Sequence, residues 1–152
     1  MTHTEPTIDH ILTTFFAEQT DCLTGLARTR VLTVAESLRR CVEQFGESVL
    51  IDNERTLLAA ERVFDPEVAI ATLTHADDLL YLLAIFVEHE RLPAQAADVR
   101  VHLRMCERLT KWITRRRLVY WDEVNCALYD IEARVRQARI ALKSADAATR
   151  RR

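Results

Sequence analysis

His102 and Cys106 stand four residues apart in a segment of helical period, so their side chains reach one spot. An imidazole and a thiol at that spacing suit two ligands of a zinc or other soft-metal site. Further ligands would have to come from Cys126, Cys41 or Cys22. No second paired-ligand motif supports such a set, and His102 lies in the middle of an apolar face with Leu109 and Ile113. The expected arrangement is a core histidine, hydrogen-bonded to a carbonyl or carboxylate beside a buried thiol. No metal and no cofactor are expected.

Other catalytic patterns are missing from the sequence. A di-iron bundle needs Glu-x-x-His on two helices, but Thr7, Thr72, Phe86 and Val99 precede His10, His75, His89 and His102 by three. HExxH does not occur. Gly25 and Gly46 are the only glycines, too few to spell a phosphate-binding loop. Gly46-Glu47-Ser48 is half of a nucleophile elbow without its second glycine. Glu88, His89 and Glu90, with His75, Asp77 and Asp78, flank an apolar stretch; such helix ends are ordinarily wet surface.

Arg115, Arg116 and Arg117 precede Leu118-Val119-Tyr120-Trp121. A basic triplet beside two aromatics suits phosphate contact and base stacking, and these arginines are the candidate anion contact. The triplet also suits the C-terminal end of a helix, where cations meet the dipole favourably, and this structural role is the one expected.

Charge divides along the chain. Residues 1–98 carry 17 Asp+Glu against 7 Lys+Arg, and residues 99–152 carry 6 against 14, which together give the net charge of -2. Mutual attraction of the two parts is the first explanation, an anionic partner for the basic part the second. The cations are 19 Arg and 2 Lys, a bias that weakens any argument from guanidinium geometry.

Apolar residues make up 49% of the 152, which places the chain among globular proteins rather than disordered ones. Two glycines and three prolines cannot supply the turns of an all-β fold. Leu79–Val87, the longest apolar run, falls well short of the ~20 residues of a membrane span, so no membrane partner is expected. The four cysteines, without CxxC or a secretory signal pattern, read as reduced thiols of a cytoplasmic protein.

The elements that would position these groups are all helical. Residues 1–6 are a flexible lead-in, 7–144 a single helical domain, and 145–152 a disordered basic tail. Thr7 is placed to cap a helix carrying Ile8, Ile11, Leu12, Phe15, Phe16, Cys22, Leu23 and Leu26 on one stripe. A second stripe, Val31, Val34, Leu38, Cys41 and Phe45, is rotated from it by about one residue of turn, so a break is expected near Gly25–Thr29. Gly46 is expected as a left-handed helix stop. Asp52 is expected to cap a helix whose inner face is Leu57, Leu58 and Phe64. Asp65-Pro66 should start another, with proline at its first position. Thr74-His75-Ala76-Asp77 resembles a capping box.

Leu79–Val87 is apolar all round and should be the central helix, with Leu79, Leu80, Leu82, Leu83, Ile85 and Phe86 buried. From Ala94 a helix shows a polar face of Arg100, Arg104, Arg108, Lys111 and Arg115. From Asp122 to Lys143, Trp121, Val124, Leu128, Ile131, Val135, Ala138 and Leu142 follow a strict heptad alternation. The fold expected is an all-α bundle of five to seven helices.

The heptad seam is the basis of the functional expectation. Trp121, Val124, Leu128, Ile131, Val135 and Leu142 form a candidate interface, and the chain is read as a non-enzymatic interaction or oligomerisation module, most simply a homodimer. A nucleic-acid-associated regulator using residues 100–152 is one alternative. A ligand binder or enzyme with an inter-helix pocket is the other.

Overall fold

The computed structural model describes residues 5–152. Seven α-helices follow one another: α1 (Ile8–Thr20), α2 (Gly25–Phe45), α3 (Asp52–Phe64), α4 (Ala69–Leu73), α5 (Ala76–Phe86), α6 (Ala96–Arg115) and α7 (Trp121–Arg150). Single 3-10 turns lie at Gly46–Val49 and His89–Arg91. The fold is thus all-α, as the periodicity and the scarcity of turn residues require. Of the expected lead-in, residues 1–4 lie outside the described residues.

The centre is α5. Leu79, Leu80, Leu82, Leu83 and Phe86 are buried, and Ile85 is half-buried. The helix is flanked by α1, α2, α6 and α7. An apolar circumference removes no surface from water unless neighbours cover every side, and here they nearly do. The exception is Tyr81, whose hydroxyl donates to the Glu123 carbonyl at 2.9 Å.

The cap at the N-terminus acts as read. The Thr7 hydroxyl accepts from the His10 N–H at 3.3 Å and starts α1. The break falls over Asp21–Thr24, ahead of the expected Gly25–Thr29, which forms the first turn of α2 with Gly25 at φ +60. Leu26 therefore leaves the α1 stripe and is exposed.

Further along, several boundaries differ from expectation. Gly46 has φ −68 and is not left-handed. It is needed for a different reason: a Cβ there would lie 2.5 Å from Cγ2 of Ile70. The left-handed stop occurs at Arg117, φ 54, after α6. There Arg117 N–H donates to Thr114 O and Leu118 N–H to Ile113 O, the pattern of a Schellman cap without glycine.

Asp52 lies inside α3, and the Ile51 N–H is satisfied by the Glu54 carboxylate at 3.0 Å. Of the expected inner face only Leu58 is buried; Leu57 and Phe64 are exposed, the latter at 85%. The helix packs mainly on α4, which at Ala69–Leu73 is too short to cover a wider stripe.

Pro66 falls in a turn held by the Asp65 carboxylate, which accepts from the Glu67 N–H, and α4 begins only at Ala69. Its free N-terminal donors are met from another element. The Glu43 carboxylate on α2 accepts from the N–H groups of Ile70 and Ala71 at 3.0 and 3.2 Å. Burial raises the Glu43 pKa, and these two hydrogen bonds oppose the rise.

The box before α5 is shifted by one residue. Asp78, not Asp77, accepts from the His75 N–H, at 3.1 Å. Burial, with the charges of Asp77 and Glu54, pushes Asp78 from its ordinary 3.8 up to about 6 despite that hydrogen bond and the nearby His75. The folded state then binds this proton more tightly than the unfolded chain. Its stabilisation is complete below pH 3.8 and is lost as pH rises through about 6. Asp78→Asn, which retains an acceptor for His75, is expected to stabilise the fold at pH 7 by about 1 kcal/mol, the full shift being discounted for partial exposure. Urea titrations between pH 4 and 7 check it: the variant should show a smaller decline than the parent, the half-buried Glu43 keeping its own share.

At the C-terminus α7 does not end at Ser144. It continues to Arg150, replacing the expected disordered tail, and Asp146 pairs with Arg100 at 2.7 Å. Good helix formers and the side of α6 carry the helix on.

Candidate interaction surface

The heptad seam of α7 is spent inside the chain. Val124, Ile131 and Val135 are buried, and Leu128, Ala138 and Leu142 pack against the same core. Their partners are α5 and α6. This corrects the expectation that the seam is free to pair with another chain, because the apolar run of α5 needs a cover on this side and α7 supplies it. Polar clamps fix the arrangement. Arg134 donates to the Ala84 carbonyl and pairs with Glu88 at 3.5 Å; Arg139 donates to Glu107 at 2.9 Å.

Trp121 alone of the proposed interface stands out, 58% exposed. Its ring meets Tyr129 edge-on, with centroids 6.4 Å apart. Tyr120 and Ile140 are exposed as well. A second stripe therefore runs along α7: Trp121, Asn125, Tyr129, Glu132, Arg136, Ile140 and Lys143. It lies about a third of a turn from the buried seam. Sequence reading passed over this stripe because the stronger heptad pattern occupied the same helix, although spacings of four, four, three, four, four and three also mark a face.

The basic triplet does not act as a unit. Arg116 lies 3.9 Å over the Trp112 ring and pairs with Glu18 at 3.1 Å, while Trp112 Nε1–H donates to the same carboxylate at 2.9 Å. Arg117 forms the left-handed stop described above. Arg115 continues the exposed row of Arg104, Arg108 and Lys111 on α6. Within that row Arg108 donates to the Gln19 amide oxygen, and among the described residues none of the four pairs with a carboxylate. Attraction between the two parts of the chain thus engages Arg116 and Arg134, with Glu18 and Glu88, and leaves this row over.

His102 is a core residue. Its Nε2–H donates to the Phe86 carbonyl at 2.9 Å and its ring stacks on Phe86 at 4.0 Å. Burial lowers its pKa, against the pull of that hydrogen bond, and keeps the ring neutral at pH 7. Cys106, one turn on, is buried, and burial pushes its thiol well up. Cys41 is buried too and is raised to about 11, mainly by desolvation. Among the described residues no three His, Cys, Asp or Glu side chains converge as metal ligands.

A groove of about 700 Å³ is lined by Glu36, Arg39, Arg40, Glu43, Gln44, Glu67 and Val68. Two of its charged groups hold the fold together: Glu43 caps α4, and Arg39 binds Asp9 at 2.7 Å and Thr13 at 2.9 Å. Among the described residues no helix is long and apolar enough to cross a membrane.

Fold and surface together define a helical bundle with a closed core and an aromatic, charge-patterned face on its last helix. No family model, curated protein or solved structure matches the chain.

Proposed function

We propose that this chain is a non-enzymatic helical interaction module that works as a homodimer. The observation that carries the reading is the set of large apolar side chains left exposed on α7 and its cap: Tyr120, Trp121, Tyr129 and Ile140. Tyrosine and tryptophan are the residues that interfaces enrich, because they bury much area at little entropic cost. Exposed free thiols at Cys22 and Cys126 suit a reducing, cytoplasmic setting. Sedimentation equilibrium at micromolar concentration is expected to give twice the 17.5 kDa chain mass. A strictly monomeric sample overturns the reading.

The unpaired row Arg104, Arg108, Lys111 and Arg115 favours a second reading, contact with nucleic acid along α6. Binding to duplex DNA that weakens steeply with salt, and that falls when two of these residues become glutamate, is the outcome that would replace the first reading.

A further inference from the structure

We infer that the homodimer forms through the outer stripe of α7, two copies packing antiparallel across a two-fold axis near Glu132 and Ala133. The inference rests on the self-association proposed above and assigns its surface. Trp121, Asp122, Tyr129, Glu132, Ala133, Arg136, Ile140 and Lys143 are all exposed, and they share about a third of the helix circumference. From Trp121 to Lys143 the stripe is about 33 Å long at 1.5 Å per residue.

Charge selects the occupant and its direction. The first half of the stripe is acidic or aromatic (Trp121, Asp122, Tyr129, Glu132) and the second half is cationic (Arg136, Lys143). A parallel pair would set Asp122 beside Asp122 and Lys143 beside Lys143, which is repulsive. An antiparallel pair sets Asp122 opposite Lys143 of the second copy, Tyr129 opposite Arg136, and Asn125 opposite Ile140. Glu132 then lies one turn from Arg136 of the second copy. Within one chain Glu132 and Arg136 already pair at 3.0 Å, each about two-thirds exposed. Such a pair is worth little alone and is readily shared.

Shape agrees with charge. Beside the cationic half, between α6 and α7, lies a groove of about 340 Å³ lined by Glu107, Glu132, Arg136, Arg139, Ile140 and Lys143. Antiparallel packing brings Tyr129 of the second copy to this groove, with Trp121 edge-on behind it. The ring then covers Ile140, and the Arg136 guanidinium lies over an aromatic face, a favourable contact. The two-fold axis repeats this contact at the other end, so the interface is self-complementary and closed.

Full-length protein carrying Ala133→Cys in a Cys22→Ser/Cys126→Ser background is treated with a short bismaleimide at micromolar concentration. A Val63→Cys chain in the same background reports on the exposed face of α3. Ala133→Cys is expected to cross-link into dimers and Val63→Cys is not. In sedimentation, Asp122→Lys should weaken the dimer about tenfold, and Asp122→Lys/Lys143→Asp should restore it. These positions lie on the surface, and unchanged circular dichroism verifies the fold. A dimer that persists without the Ala133→Cys cross-link, is untouched by Asp122→Lys, or cross-links through Val63→Cys instead overturns this surface while self-association stands. A parent chain that is monomeric at every concentration removes both.

Discussion

Leu83→Asp is expected to leave the chain unfolded in dilute buffer at neutral pH. Leu83 is fully buried in α5, the helix that the bundle surrounds. Losing the leucine forfeits roughly 1.5–3 kcal/mol of burial. Placing an unpaired carboxylate there costs several kcal/mol more. Together these losses match much of the roughly 5–15 kcal/mol by which native domains are stable. Leu83→Ala gives a quantitative arm: about 2–5 kcal/mol lost in urea titrations, the range for a buried leucine that leaves a cavity. A Leu83→Asp chain with native circular dichroism and a cooperative melt would show that α5 is not the centre of the core.

Gly46→Ala is expected to destabilise the fold by about 1–3 kcal/mol, the usual cost of forcing atoms into a packed core. With φ −68 and ψ −20 the backbone at Gly46 suits any residue, so conformational strain contributes nothing. A glycine-to-alanine change at such a position normally stabilises by about 0.4–1 kcal/mol through the unfolded chain. Here contact reverses the sign. The new Cβ would lie 2.5 Å from Cγ2 of Ile70, which is fully buried and branched at Cβ, so it has little freedom to turn away. Ile70→Leu removes that methyl group. Gly46→Ala/Ile70→Leu should therefore lose less than the sum of the two single changes, and urea titrations of the four proteins measure the difference. An alanine variant as stable as the parent would show that the 3-10 turn and α4 are not in contact.

Sequence by itself determined the helical class, the central helix and the start of α1. Each rests on interactions within about one turn: the apolar circumference of Leu79–Val87, and the Thr7 hydroxyl three residues from the N–H that it caps. The core role of His102 was legible in the same way, from its place among Val99, Cys106 and Leu109 on one face; that its partner is the Phe86 carbonyl was not. Tertiary structure alone decided what covers each face. The heptad of Val124, Ile131 and Val135 has the same pattern whether its partner is α5 or a second chain, because period describes one helix and not its neighbour. Leu57 and Phe64 follow a core-facing period, yet the short α4 on which α3 packs leaves them exposed. Glu43 reads as an ordinary surface acid until α4, 27 residues on, brings its N-terminal donors within 3.0 Å. Gly46 reads as a left-handed stop, while the steric demand of Ile70 is what requires it. Contacts within a turn are set by bonded geometry, and the chain spells them out. Contacts across tens of residues depend on which surfaces win the competition for burial, and only the folded bundle settles that.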